Sequence, residues 1–165
     1  MYRESISILK SWKEDKFRKP LIVRGARQVG KTWLLQEFGR TEYAKFVYVN
    51  FEETPALQNL FTTDFDIERI ITVLQIYSQM RITAEDTLFI FDELQSAERG
   101  ITSLKYFCEK APQYHVIAAG SLLGMGLHNQ VSFPVGKADF MDLRPPSASA
   151  FLLPANHPPL VTPLP

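Results

Sequence analysis

The stretch "LIVRGARQVGKTWLLQEFG", residues 21–39, decides how the rest of the chain is read. It opens on an apolar run, turns through Gly25 and Gly30, and continues at helical spacing after a Lys-Thr pair. Gly25, Gly30, Lys31 and Thr32 satisfy the pattern G-x-x-x-x-G-K-S/T. The spacing has a chemical reason. A phosphate chain is held by several inward-pointing backbone N–H groups, and glycine lets the loop curl tightly enough to present them. A helix starting near Lys31 adds the positive end of its dipole. In such a loop the lysine reaches the β- and γ-phosphate oxygens, and the threonine hydroxyl is offered to Mg²⁺. A chance match costs about 3 × 10⁻⁵ per position at ordinary residue frequencies. The candidate nucleotide-binding set is Gly25, Ala26, Arg27, Gln28, Val29, Gly30, Lys31, Thr32 and Trp33.

Working outward, residues 2–17 predict an amphipathic helix through Ile6, Leu9, Trp12 and Lys13, stopped by Pro20. "LIVRG" (21–25) suits a strand buried on both faces, and residues 31–39 a helix closed by Gly39. "KFVYVNF" (45–51) is a second strand. Thr54 and Pro55 read as N-cap and first position of a helix over 54–61. Residues 66–79 and 102–110 predict helices, the latter burying Leu104, Phe107 and Cys108. "TLFIFDE" (87–93) and "HVIAAGS" (115–121) are buried strands, and residues 131–143 a hairpin or a last strand. Alternating strands and helices imply an α/β fold: a three-layer α/β/α sandwich around a mainly parallel sheet.

"TLFIFDE" supplies the second half of the chemistry. An acid ending a hydrophobic strand stands at the carboxyl edge of the sheet, where ligands of such sheets bind. Asp92 would hold Mg²⁺ together with Thr32, and Glu93 would polarise a water against the γ-phosphate. The paired acids argue against a small-molecule kinase, and no Asn-Lys-x-Asp guanine reader is present. An ATPase with one more strand between loop and acid fits, that strand being "KFVYVNF". Ser121 either senses the γ-phosphate or caps a helix over "LLGMG". Catalytic candidates are therefore Glu93, Lys31 and Ser121. Asn50, Glu52 and Glu53 end a strand at the same edge and either line the site or face solvent. Arg27 faces solvent or a partner subunit, and Arg99 reads as a surface arginine before a donor to a neighbour's phosphate. Gln95 orients water or caps the loop. His115 and His128 lack partners at metal spacing and read as structural; Trp12 and Trp33 read as packing residues before base-stacking ones.

Bulk properties exclude other classes. The chain has 165 residues, room for one domain with a sizeable core. Its 18 basic and 18 acidic residues balance, so charge does not indicate nucleic acid or an acidic membrane as partner. The single cysteine, Cys108, fits a reducing cytoplasm. The longest apolar stretch, residues 116–127, is too short to span a bilayer, and the N-terminus is not a signal peptide.

Taken together, "KPLIVRGARQVGKTWLLQEFG", "YVNFEE", "LFIFDELQ", "SLKYFCEKAPQYHVIAAGSLLG" and "SFPVGKADFMDL" resemble a prokaryotic family of AAA+-like P-loop ATPases. The resemblance covers roughly residues 1–143 and implies the additional-strand (ASCE) sheet of P-loop NTPases. It implies ATP and Mg²⁺ as cofactors, residues 25–32 as phosphate loop, Asp92 and Glu93 as the metal-holding and water-activating pair, and Ser121 at a sensor position. Family members continue with a helical lid and a C-terminal domain of unknown function. Here "LRPPSASAFLL" echoes the segment that leads there. Residues 145–165 then hold seven of the eleven prolines and no charged side chain. We expect an ATPase core over 1–143 and an irregular, proline-rich tail over 144–165, as a truncated or frame-shifted gene would produce. The expected function is Mg-ATP binding with slow or partner-dependent hydrolysis. The alternatives are a nucleotide-gated interaction module without turnover, acting through self-association or a protein partner, and an inactive fragment.

Overall fold

A computed structural model describes residues 2–26, 29–121 and 134–144. Five strands form one sheet: β1 (Leu21–Arg24), β2 (Lys45–Asn50), β3 (Thr87–Asp92), β4 (His115–Gly120) and β5 (Asp139–Asp142). Their order is β2-β3-β4-β1-β5, and every pairing is parallel. β3 and β4 are buried at all six positions, as central strands covered on both faces must be. Helices α1 (Tyr2–Glu14) and α2 (Lys31–Glu42) cover one face, where Leu9, Trp12, Leu35 and Phe38 pack on Val23, Leu88, Ile90 and Ile117. Helices α3 (Ile67–Ser78) and α4 (Gly100–Lys110) cover the other, where Ile70, Leu74, Leu104 and Phe107 pack on Val49, Phe89, Phe91 and Val116. Alternate residues of each strand thus feed alternate cores. The result is the expected three-layer α/β/α sandwich.

Several local expectations change. Gly39 does not close α2; it lies inside the helix, where a Cβ would come within 2.8 Å of the Phe46 ring. It is a contact glycine rather than a terminator. Residues 54–61 form only a 3-10 turn over Pro55–Leu57, and the Thr54 side chain makes no capping bond. Cys108 is only partly buried. Residues 139–142 form a last strand, parallel to β1. "KFVYVNF" lies between loop and acid in chain order but takes the sheet edge; in space the strand between β1 and β3 is β4. The "LLGMG" segment, His128 and residues 145–165 fall outside the described residues.

Register fixes where the chemistry sits. Arg24 pairs with Gly120 and with Asp142, and Asn50 with Asp92. The strands therefore end together, and Gly25, Glu93, Ser121 and Leu143 follow at one edge.

Candidate phosphate-loop site

Gly30 sits at the N-cap of α2 with φ 87°, a conformation costly to any residue with a side chain. It brings no side-chain cap, and the first turn of α2 carries no acid. That leaves the positive end of the helix to an outside anion. Gly25 is required for a different reason: a Cβ there would stand 2.6 Å from the Leu143 carbonyl oxygen. Between them, Arg27 and Gln28 lie outside the described residues.

Lys31 is only 7% exposed. Its Nζ donates to the carbonyl oxygens of Gly25 (2.9 Å) and Ala26 (2.7 Å), so the ammonium is folded into the loop at the sheet edge. Thr32, one residue on, donates its hydroxyl to Asp92 Oδ2 at 2.7 Å. Loop and acid-bearing strand thus meet through a hydroxyl–carboxylate contact. Asp92 is 3% exposed and its other oxygen, Oδ1, accepts the Glu93 backbone N–H at 3.0 Å.

Glu93 has φ 51°, a left-handed backbone that a glutamate adopts only when its surroundings force it. The turn lifts its carboxyl off the strand line, and Oε1 accepts from Gln95 Nε2 at 2.6 Å. Gln95 thus touches Glu93 directly, while its own Oε1 is buried without a hydrogen-bond partner. Ser121 follows β4, the strand lying between loop and acid, and its Oγ is likewise buried without a partner. Two buried polar atoms beside one sheet edge thus have hydrogen-bonding capacity left over for a polar ligand.

The sequence model of a family described as "AAA domain" matches residues 17–152, most of the chain. The chain belongs to that AAA family. The expectation of an AAA+-like P-loop ATPase core is met, and with it nucleotide-binding function of the ATPase type. Among solved structures, this AAA domain is similar to PCH-2 of C. elegans, at 16% identity and a TM-score of 0.51, covering 88% of this chain and 42% of that one. It is also similar to the ORC1 protein of Aeropyrum pernix, solved in complex with DNA, at 14% identity and a TM-score of 0.53, covering 92% and 46%. Those likenesses concern the fold, and the AAA domain spans less than half the length of either. No curated protein matches its sequence.

The remaining sequence candidates divide around this AAA site. Asn50 turns its Oδ1 back onto the backbone N–H groups of Glu52 (2.9 Å) and Glu53 (3.2 Å), closing a turn whose two acids are exposed. Arg99 is engaged away from the loop, with Nη1 donating to the Thr62 carbonyl at 3.1 Å and the guanidinium 4.4 Å from the Phe65 ring centre. Trp12 is a packing residue, as expected, and donates its indole N–H to the Lys19 carbonyl at 2.7 Å. Trp33 is not: it is 58% exposed, with its ring 5.3 Å from that of Tyr2. Together with Ser5, Val29, Gly30 and Leu143 these two rings border a cavity of about 290 Å³ beside the loop. His115 is structural; its Nδ1 shares a hydrogen bond with the buried Tyr43 hydroxyl at 2.7 Å. Burial lowers its pKa to about 4, helped by Arg18 and Lys13.

Sequence reasoning missed Tyr48. Its hydroxyl donates to Asp92 Oδ2 at 2.7 Å, the same oxygen that Thr32 uses. Burial, then the bond to Asp92, push the Tyr48 pKa well up, partly offset by hydrogen bonding with Thr32 and Asn50, so the phenol stays protonated and a donor. The signal was the pairing of β2 with β3, which places Tyr48 opposite Ile90, two residues before Asp92. No motif announces it.

Proposed function

We propose that residues 1–143 form an ATPase core that binds Mg-ATP and hydrolyses it slowly, or quickly only with a partner. The observation that carries this reading is the buried Lys31 ammonium held against the loop carbonyls, beside the Thr32–Asp92 contact. A lysine so placed exchanges carbonyl oxygens for phosphate oxygens by a small side-chain movement. The donor set also suits Mg²⁺. Thr32 and Asp92 offer hard oxygens, and Mg²⁺ takes few protein ligands and completes its shell with water and phosphate. Among the described residues no three His, Cys, Asp or Glu side chains gather at metal-binding spacing, so the phosphates would have to complete that shell. When bound there, Mg²⁺ would neutralise charge on the phosphates.

The chain's own groups would do the rest. The first amides of α2 and the Lys31 ammonium hold the phosphates and stabilise the charge that builds as the γ-phosphoryl leaves. Glu93 takes a proton from the attacking water, with Gln95 fixing one carboxylate oxygen and leaving the other for that proton. Ser121 Oγ donates to the γ-phosphate. Tyr2 and Trp33 offer aromatic surface for the base at the mouth of the neighbouring cavity. Arg99 is tethered at Thr62 and Phe65, which does not favour its reaching a neighbour's phosphate; an arginine from a second subunit or a partner commonly speeds such reactions about 10³–10⁵-fold.

The test is phosphate release with Mg-ATP. Steady release that disappears in Glu93→Gln, with ATP binding retained, supports the enzyme. The second reading, a nucleotide-gated module without turnover, is favoured by the Gln95–Glu93 bond, which holds the base in a pair rather than leaving it to water. Binding without release in the wild-type protein would decide for it. No binding at millimolar nucleotide would leave only an inactive fragment.

A further inference from the structure

The Asp92 carboxylate accepts three hydrogen bonds, from the Glu93 amide on Oδ1 and from the Thr32 and Tyr48 hydroxyls on Oδ2. The two hydroxyls are not equivalent. Thr32 belongs to the loop, and its oxygen turns toward a cation when one binds. A lone pair can take the cation while the proton stays on Oδ2, but the position of this donor then follows the loop and the ion. Tyr48 stands on β2, on the sheet face covered by α2, and is held by the rigid β2–β3 pairing. Its donor remains on Oδ2 in both states. Without it, one oxygen of a buried carboxylate would lose its fixed partner at the moment the cation needs it aimed.

We propose that Tyr48 is a positioning residue for the Mg²⁺ site: its hydroxyl holds the Asp92 carboxylate in the orientation that binds the cation of Mg-nucleotide. The inference rests on the Mg-ATP reading of the same site. It makes Tyr48 act through Asp92 and not on the nucleotide, so loss of the phenol should weaken the cation's contribution and leave nucleotide binding without metal alone. Partners that orient metal-ligating side chains commonly contribute about 10–100-fold to metal affinity.

The experiment compares ADP affinity by calorimetry in Mg²⁺ and in EDTA, for wild type, Tyr48→Phe, Asp92→Asn and the double variant. The expected result is that Tyr48→Phe lowers the ratio of the two affinities by about ten-fold with the EDTA affinity unchanged. In the Asp92→Asn background the same substitution should have no further effect, because the carboxylate through which it acts is gone. Tyr48→Gln, which keeps a donor, should restore part of the ratio and secures the test if the phenylalanine variant folds poorly. A wild-type ratio kept by both Tyr48 variants overturns the proposal while leaving the phosphate-loop reading intact. A change confined to the EDTA affinity overturns it too, as would a Tyr48→Phe effect that persists in Asp92→Asn. If wild-type protein binds ADP in neither condition, both readings fall together.

Discussion

Lys31 and Glu93 each carry a separable consequence. Lys31→Ala removes the buried ammonium, and hydrogen bonds to charged groups contribute about 1.5–3 kcal/mol each. ATP affinity should fall about 10–100-fold, read as loss of the thermal shift that Mg-ATP gives the wild type. Ligand at about 100 times its dissociation constant should stabilise the wild type by roughly 2.7 kcal/mol. Equal affinity in wild type and Lys31→Ala would contradict the site. Glu93 holds φ 51°, and relieving a left-handed backbone is worth about 1–2 kcal/mol. Glu93→Gly should therefore raise stability by about 1 kcal/mol in denaturant unfolding while removing any phosphate release. The candidate loop was legible at this scale because Gly25, Gly30, Lys31 and Thr32 follow one another in the spacing that close phosphate approach calls for. Tyr48 was not legible: its partner lies 44 positions away, and only the strand register brings them together.

At the scale of elements, Gly39 separates local preference from packing. In an isolated helix alanine would be better than glycine by about 1 kcal/mol. Here a Cβ would meet Phe46 atoms at 2.8, 2.9 and 3.0 Å, where α2 crosses β2. Gly39→Ala should destabilise the protein by about 1–3 kcal/mol, and pairing it with Phe46→Leu should recover part of that loss in denaturant unfolding. The same residue shows why the sequence misplaced a helix end. Glycine at the end of an apolar repeat is the ordinary stop signal, and close contact uses the same residue for an unrelated reason. The strands were easier, because β3 and β4 are unbroken apolar runs whose burial on both faces is written in composition. Sheet order was not, since nothing local tells β2 to take the edge and β4 the place beside β1.

For the whole molecule, His115 sets a pH limit. It is 7% exposed, hydrogen-bonded with Tyr43, and has its pKa lowered to about 4 from an ordinary 6.5. The folded chain keeps this ring neutral, whereas the unfolded chain protonates it as pH falls below 6.5. Its contribution to stability is complete above pH 6.5 and is lost as pH falls toward 4, by roughly 3 kcal/mol in total. Urea unfolding of wild type and His115→Gln should show a steeper decline across that window in the wild type. Identical slopes would mean that the ring is not held neutral. No helix among the described residues is long and apolar enough to cross a membrane.

Leu143 adds a mechanical corollary. Its N–H bonds the Arg24 carbonyl at 2.8 Å, and its own carbonyl lies where a Gly25 side chain would begin. The polypeptide therefore leaves the sheet against the first glycine of the candidate phosphate loop. A pull on the chain at Leu143 would reach Gly25 through a single backbone contact.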